Sequence, residues 1–275
     1  MLFSDVTAVI PTYNRLEMLG EAVESVRRQS LPPRQLIVVD DGSTDGTWDW
    51  LQSQKGLIAL RQDNRGPAAA RNLGAAAAET EYLAFLDSDD LWLPPKLETQ
   101  TAFLEENPEC RFCQTEEIWY RNGARVNPMK KHAKPSGQVF EACLSRCLIS
   151  PSGVMFRREF FVELGGFDES FEVCEDYELW LRASLASPFR TLEEPLVLKR
   201  GGHLDQLSRA HWGMDRFRVE ALEKLLRQET LAPHQRAKVI EELARKLEIL
   251  SNGFQKRRPG QIDPYRERLR SLALD

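Results

Sequence analysis

Short apolar runs alternate with helix-like segments along the first 90 residues of the chain. Four runs rich in Val, Ile, Leu and aromatic residues have the length of β-strands: residues 6–10, 35–39, 57–60 and 82–86. The segments between them have helical spacing or many alanines: residues 16–29, a segment capped by Thr44 or Asp45 that runs through Leu51, and residues 66–78. Strands that alternate with helices predict an α/β fold, a mostly parallel sheet with helices on both faces.

Polar residues follow three of these four strands. The three clusters are Thr12-Tyr13-Asn14, Asp40-Asp41 and Asp87-Ser88-Asp89. In open parallel sheets, ligands bind beyond the carboxyl ends of the strands. We therefore expect the three clusters to meet at one binding edge.

The second half of the chain has a different pattern. Arg121-Asn122-Gly123 is typical of a hairpin turn. Further predicted elements are a strand at 153–156, a helix at 158–164 that ends at two glycines, and helices at 175–186, 214–227, 233–250 and 264–272. The change to a helical pattern predicts two units, residues 1–210 and a C-terminal helical extension, residues 211–275.

Composition indicates a water-soluble protein, with 42% hydrophobic and 29% charged residues. The net charge of −5 argues against a nucleic-acid partner. We expect no signal peptide and no membrane span, because no window approaches the roughly 20 apolar residues that a span needs. Five cysteines, an odd number without a dense framework, favour reduced thiols in the cytoplasm.

A zinc site is an alternative use of the cysteines. Cys110 and Cys113 form a CxxC, and Cys143 and Cys147 are spaced as on one helix face. The first pair lies in a strand-like segment, where residues three apart point to opposite faces. We therefore expect the cysteines to be small apolar residues.

Asp87 and Asp89 form a DxD pattern at the end of a buried strand. The residue between them places both side chains on the same side of an extended segment. Two neighbouring carboxylates repel each other unless a cation or solvent relieves the repulsion. Oxygen ligands suit Mg²⁺ or Mn²⁺, which also bind phosphate oxygens. The alternative is a solvated loop that caps the next helix.

Asp40 and Asp41 are a second pair of neighbouring carboxylates, at the end of the second predicted strand. A carboxylate there can accept hydrogen bonds from a nucleobase or from ribose, whereas the alternative is an Asx-turn before Gly42. Near the start of the alanine-rich helix, the guanidinium groups of Arg65 and Arg71 suit contacts with a base or with phosphates. Their alternative role is that of surface charges.

Glu175 and Asp176 open a predicted helix. Asp176 is a candidate general base, although carboxylates in a first helical turn are also favoured by the helix dipole alone. His203 follows two glycines and is a candidate third metal ligand. The alternative for this single histidine is a structural or exposed position.

Taken together, these motifs resemble glycosyltransferase family 2, on the nucleotide-sugar-binding fold called GT-A. The resemblance covers residues 5–208 and rests on the order and spacing of the motifs. The matching segments are residues 9–15, 38–47, 64–66, 70–72, 85–90, 165–168, 175–180 and 201–203.

The resemblance implies roles for individual residues. It assigns Pro11, Thr12, Asp40 and Asp41 to the base and ribose, with Arg71 nearby. Asp87 and Ser88 belong to the donor side. The metal, Mn²⁺ or Mg²⁺, is assigned to Asp89 and His203, with Asp87 beside them. Ser152-Gly153 faces the donor sugar and acceptor, and Asp176 is the catalytic base. The C-terminal helices have no assigned counterpart in the family.

The implied reaction is inverting transfer of a sugar from a nucleoside diphosphate, most commonly uridine diphosphate, to an acceptor hydroxyl. By analogy, the acceptor is a glycan or a lipid-linked sugar of cell-surface polysaccharide or glycolipid assembly. The alternatives are a non-catalytic sugar-nucleotide-binding protein, a nucleotidyltransferase, whose glycine-rich phosphate loop is not found after the first strand, and a dehydrogenase, whose GxGxxG is not found.

Peripheral contact with a membrane is a further hypothesis. Trp212, Phe217 and Phe254, together with Lys256-Arg257-Arg258, suit an anionic membrane surface on the cytoplasmic side. A solvated basic turn between helices is the alternative.

Overall fold

The computed structural model describes residues 2–127, 129, 132–202, 213–228 and 231–272. A single nine-stranded sheet has the strand order β3-β2-β1-β4-β8-β6-β9-β5, and β7 pairs with β6. Its strands are β1 Ser4–Thr12, β2 Pro33–Asp40, β3 Ile58–Arg61, β4 Tyr82–Phe85, β5 Leu91–Trp92, β6 Phe112–Arg121, β7 Ala124–Val126, β8 Val154–Arg157 and β9 Phe189–Gly201.

Helices cover both faces of the sheet. They are α1 Leu16–Arg27, α2 Thr47–Ser53, α3 Pro67–Ala76, α4 Lys96–Glu106, α5 Phe140–Ser145, α6 Arg158–Glu163, α7 Glu175–Ala186, α8 Asp215–Leu226, α9 Pro233–Arg257 and α10 Pro264–Leu272. The predicted α/β class and the C-terminal helices are confirmed.

The first four strands run parallel, as predicted. They read as nearly continuous apolar runs because both faces are buried. In β1, Val9 belongs to one hydrophobic cluster, while Ala8 and Ile10 belong to the cluster on the opposite face. Gly74 of α3 lies so close to Val9 that an added Cβ would come within 2.4 Å of its Cγ1. This close packing fixes α3 and the residues it carries toward the sheet edge.

The second half of the sheet is mixed. β8 lies antiparallel between β4 and β6, whereas β6 and β9 are parallel. The predicted hairpin joins β6 to β7, with positive φ at Asn122 (49°) and Gly123 (77°). Because β6 and β9 continue past the level at which β4 ends, they form a ribbon beside the binding edge.

The C-terminal helices share the core of the first unit. Leu222 and Leu225 of α8 and Leu243 and Leu247 of α9 are buried in the cluster that also contains Trp180 of α7. The division predicted near residue 210 falls within residues 203–212, outside the described part of the chain, and stays a prediction. Among the described helices, none has the length and apolar character needed to cross a membrane.

Four elements were not predicted: α4, α5, β5 and β9. The buried side of α4 includes Lys96, Gln100 and Thr101, so its apolar spacing is broken. β9 contains Pro195 and several charged residues with one face toward solvent. Such strands lack the apolar run that identifies a buried strand.

Candidate active site

The carboxyl ends of β1 and β2 bring Thr12 and Asp40 directly opposite each other. Both side chains are buried, with Thr12 3% and Asp40 0% exposed. Within the described residues, Thr12 Oγ1 and Asp40 Oδ2 have no hydrogen-bond partner. Buried polar atoms are normally hydrogen-bonded, so two oxygens without a hydrogen bond at the end of a parallel sheet indicate a place where a ligand supplies one. Pro11, one residue earlier, is also buried.

The other oxygen of Asp40 is used within the protein. Oδ1 accepts a hydrogen bond from Ser43 N–H at 3.0 Å. Arg61 Nε lies 3.3 Å from Oδ2, and the same guanidinium lies over the Trp48 ring at 5.4 Å. Arg61 therefore balances the charge of Asp40, while Oδ2 keeps an unused acceptor position.

Asp41 has a different local role. Its Oδ1 accepts hydrogen bonds from Gln62 Nε2 at 2.7 Å and from Arg65 N–H at 2.9 Å, and its Oδ2 accepts one from Gly66 N–H at 2.8 Å. Asp41 thus fixes the loop that leads into α3. Since a carboxylate has about four acceptor positions, one remains for a ligand.

The loop after β4 gathers three carboxylates. Oxygen atoms of Asp87, Asp89 and Asp90 lie within 4.8 Å of one another. Asp89 Oδ2 accepts a hydrogen bond from Arg15 at 2.6 Å. Ser88 is buried between them. An all-oxygen donor set of this density fits a hard divalent cation, and Arg15 is one of the cations that balance it in the protein alone.

Asp90 is a site residue that the motif analysis missed. Its carboxylate accepts hydrogen bonds from Ser152 Oγ at 2.6 Å and from Arg200 N–H at 2.8 Å. Burial raises the pKa of Asp90 to about 7, against the opposing charge of Lys199. Ser152 Oγ in turn accepts the N–H of Asp87 at 3.1 Å. Through these hydrogen bonds, Asp90 connects the carboxylate loop to Ser152 and to Arg200 of β9.

Lys199 and Arg200 bring positive charge to the same loop. Lys199 Nζ donates to Ser150 Oγ at 2.7 Å and lies 3.9 Å from Asp90 Oδ2. The Arg200 guanidinium donates to the carbonyl oxygen of Asp89 and to Glu21. Their only signal in the sequence is their position just before the glycines at 201 and 202.

Arg71 connects the carboxylate loop to α7. Its Nη2 donates to Asp87 Oδ1 at 2.6 Å, and its Nη1 donates to Glu175 Oε1 at 2.7 Å. Burial opposes the charge of Arg71, but the two carboxylates outweigh it and raise the pKa above its ordinary value. Burial likewise pushes the pKa of Asp87 upward, and Arg71 with Lys199 outweighs this and lowers it. Arg71 is therefore a buried bridge rather than the alternative surface charge.

Asp176 lies next to this bridge, in the first turn of α7. Its Oδ1 accepts a hydrogen bond from Tyr177 N–H at 2.6 Å, and its Oδ2 accepts one from Cys147 Sγ at 3.2 Å. The residue before the helix, Cys174, has a positive φ of 66°, and of the two acidic residues that follow it, Glu175 contacts the Arg71 bridge. The side chain of Asp176 is partly exposed.

Two earlier predictions concern metal ligands outside this cluster. His203 lies outside the described residues, so its part in a metal site stays a prediction. The five cysteines are free thiols. Within the described chain, the carboxylates at 87, 89 and 90 are the group of at least three ligand atoms with metal-binding spacing, and no cysteine joins such a group. The described residues thus give the zinc alternative no support.

Comparison with known proteins identifies close relationships in sequence. The family model for glycosyl transferase family 2 matches residues 7–165, more than half of the chain. A glycosyltransferase of Rickettsia felis is 37% identical over 191 residues, which cover 66% of this chain and 30% of that protein. The UDP-Glc:alpha-D-GlcNAc-diphosphoundecaprenol beta-1,3-glucosyltransferase WfaP of Escherichia coli is 32% identical over 64% of this chain and 68% of its own length. The chain therefore spans less than a third of the Rickettsia relative.

Solved structures have a similar fold. The Staphylococcus aureus TarS fragment 1–349 in complex with UDP-GlcNAc has a TM-score of 0.75 at 20% identity, covering 97% of this chain and 79% of that one. The mannosyltransferase PcManGT of Pyrobaculum calidifontis, in complex with GDP-Man and Mn²⁺, has a TM-score of 0.64 at 19% identity, covering 99% of this chain and 85% of that one.

Proposed function

Because this chain belongs to glycosyl transferase family 2, we propose that it is an inverting enzyme that transfers a sugar from a nucleoside diphosphate to an acceptor hydroxyl. The family and the GT-A fold are shown by these comparisons, and the transferase activity of this chain is proposed from its family. We propose three further properties: inversion at the anomeric carbon, the identity of the donor and the identity of the acceptor.

One observation carries the donor site. Thr12 and Asp40 hold buried oxygens opposite each other at the sheet edge that make no hydrogen bond to any described residue, and a nucleobase or ribose can supply the hydrogen-bond partners. We assign Pro11, Thr12, Asp40 and Asp41 to the nucleoside. Uridine diphosphate sugars are the first donors to test, since WfaP is named for UDP-Glc and TarS was solved with UDP-GlcNAc.

Asp87, Ser88 and Asp89 are assigned to the diphosphate side. Asp87 and Asp89 would hold Mn²⁺ or Mg²⁺, with His203 as a further ligand, and the bound cation would supply positive charge for the leaving diphosphate. Within the described residues, the clustered ligand atoms are all carboxylate oxygens, which supports a hard cation. Arg71 contacts both Asp87 and Glu175 and so holds this loop next to the start of α7.

Asp176 is assigned as the general base. Its carboxylate would take the proton from the acceptor hydroxyl while that oxygen attacks the anomeric carbon from the face opposite the diphosphate. A single displacement of this kind inverts the anomeric centre. The partial exposure of Asp176 leaves room for an acceptor, and its place beside the Arg71 bridge supports its closeness to the donor.

The acceptor is proposed to be a glycan or lipid-linked sugar, because the relative WfaP is named for a diphosphoundecaprenol-linked acceptor. We also propose a cytoplasmic location, supported by five free cysteines. Peripheral membrane contact belongs to the same proposal, through Phe217, Phe254, the basic residues 256–258 and Trp212, which lies outside the described residues.

Donor hydrolysis tests the function without a known acceptor. The purified chain is incubated with Mn²⁺ and, in separate reactions, UDP-glucose, UDP-GlcNAc, GDP-mannose and dTDP-glucose, and release of nucleoside diphosphate is measured. We expect a uridine nucleotide to be released fastest. Release from none of these donors would count against the proposed donor site. Pyrophosphate formed from a sugar phosphate and a nucleoside triphosphate would instead indicate a nucleotidyltransferase.

Asp176→Asn tests the base. It should lower transfer by about 10²- to 10⁴-fold and leave donor affinity, measured by calorimetry, within about twofold. Asp49→Asn, at an exposed position on α2, is the matched control and should keep full activity. Near-normal transfer by Asp176→Asn would contradict the assignment.

A further inference from the structure

A thiol contacts the carboxylate that we assign as the base. Cys147 Sγ lies 3.2 Å from Asp176 Oδ2 and 3.2 Å from the carbonyl oxygen of Ile149. A thiol has one proton, and a hydrogen bond to a charged acceptor is stronger than one to a neutral acceptor. The carboxylate therefore competes well for this proton. Since Tyr177 N–H occupies Oδ1 at 2.6 Å, both oxygens of Asp176 have a donor.

Cys147 stays protonated in this environment. Burial, and next the charge of Asp176, raise the pKa of the thiol well above its ordinary value. At neutral pH the sulfur is thus a hydrogen-bond donor to Asp176 and not a thiolate that would repel it.

Two hydrogen bonds hold the end of α5, just before Cys147. Tyr177 Oη donates to Leu144 O at 2.6 Å, which joins the end of α5 to the residue after the base. Lys246 Nζ, from α9, donates to Ser145 O at 3.0 Å. The thiol therefore reaches Asp176 from a fixed support that includes the C-terminal helices.

We propose that Cys147 is a positioning residue for the transfer reaction, whose S–H holds one oxygen of Asp176 so that the remaining lone pairs face the acceptor hydroxyl. This inference rests on the proposed function, because it needs Asp176 as the base. Cys147 keeps its proton throughout, and only Asp176 accepts the proton of the acceptor. The C-terminal helices then contribute to catalysis through the support they give to this segment.

Substitutions that keep or remove the donor test the proposal. Cys147→Ala should lower kcat by about 10- to 100-fold with little change in donor KM. The acidic limb of the pH–rate profile should move to higher pH, because a hydrogen bond that stabilises the charged form of the base is lost. Cys147→Ser keeps a donor and should recover most of the activity and the original profile.

Two variants control for packing. Cys143→Ala makes a comparable void in the buried side of α5 and should leave the pH profile unchanged. If Cys147→Ala does not fold, Cys147→Val fills the space without a donor and takes its place.

The outcomes separate two failures. If Asp176→Asn is inactive but Cys147→Ala, or its valine replacement, has the kcat and pH profile of the parent, the positioning role is wrong. Equal losses in the alanine and serine variants with an unchanged profile would also overturn it, because packing alone would explain them. If Asp176→Asn is fully active, the proposed function fails first.

Discussion

Thr12 and Asp40 face each other across β1 and β2, each with one buried oxygen that accepts or donates no hydrogen bond within the described residues, although the Asp40 oxygen is ion-paired with Arg61. An unpaired buried hydroxyl costs the free protein stability, which the protein would recover when a ligand binds there. We therefore expect the buried Thr12 hydroxyl to lower the free energy of unfolding of the ligand-free protein and to gain a hydrogen bond when a ligand binds.

Thr12→Val should separate stability from binding. It removes the unpaired hydroxyl, so we expect the free energy of unfolding to stay constant or rise by up to about 1 kcal/mol. Donor KM should rise several-fold with kcat nearly unchanged, since the contact is made equally in ground and transition states. Thermal unfolding and initial rates measure the two effects.

Thr7→Val on the same strand is the matched control. Thr7 Oγ1 is hydrogen-bonded to Gln35 at 2.7 Å and to Thr80 at 2.6 Å. Its loss should destabilise the protein by about 1–3 kcal/mol and leave donor KM unchanged. If Thr12→Val behaved in the same way as Thr7→Val, the nucleoside site would be misplaced.

Metal dependence is the second prediction. Chelator should abolish donor hydrolysis, and Mn²⁺ or Mg²⁺ should restore it. Asp89→Asn removes one charge from a cluster whose oxygens lie within 4.8 Å of one another, so half-maximal activity should need at least about tenfold more metal, since about 1.4 kcal/mol of lost affinity is tenfold. Electron paramagnetic resonance of added Mn²⁺ gives the same affinity without turnover.

Two outcomes would argue against this metal site: full activity in chelator, or tight Mn²⁺ binding by Asp89→Asn. The control variant Asp49→Asn should behave as the parent.

The parallel half of the fold could be predicted from the sequence because its physical signals are local. Strands buried on both faces are apolar runs, and the ends of parallel strands meet at one edge. From the sequence alone, these two rules place Thr12, Asp40 and Asp87 at one edge of the sheet.

The rest of the site depends on contacts between distant parts of the chain. Arg71 and Glu175 are separated by 104 residues, and Asp90 and Arg200 by 110 residues. No periodicity indicates such pairs. Asp90 in particular looks like one more acidic loop residue until the fold buries it against Ser152.

The Arg71 bridge gives a third prediction. Lysine keeps the charge but has no planar fork, so Arg71→Lys cannot contact Asp87 and Glu175 in the same way. One buried carboxylate is left poorly paired, and we expect a loss of about 2–4 kcal/mol in the free energy of unfolding, together with lower kcat. Chemical denaturation and initial rates measure both.

Arg65→Lys is the control for this substitution. Arg65 pairs with Glu169 at 2.6 Å, but its side chain is 62% exposed, so the change should stay within about 0.5 kcal/mol. Comparable losses in the two variants would show that the bridge has no special role.

Lys96 gives the last prediction, on stability and pH. Its side chain is 0% exposed, its Nζ donates to Gln100 at 2.6 Å and lies 4.1 Å from the centre of the Trp92 ring. Burial lowers the pKa of Lys96 from 10.5 to about 7. Between these two pH values the unfolded chain binds more protons than the folded protein, so the free energy of unfolding rises with pH in this window.

Lys96→Met removes this titration. Its free energy of unfolding should therefore lack the rise of about 3 kcal/mol that the parent gains between pH 7 and pH 9.5, whatever the offset caused by leaving Gln100 without its donor. Urea unfolding at several pH values measures both slopes, and Lys55→Met, at an exposed position, corrects for the loss of a positive charge. Parallel curves for the parent and Lys96→Met would mean that Lys96 is charged in the folded protein throughout, in which case its contact with the Trp92 ring and Gln100 would have to stabilise a buried ammonium group.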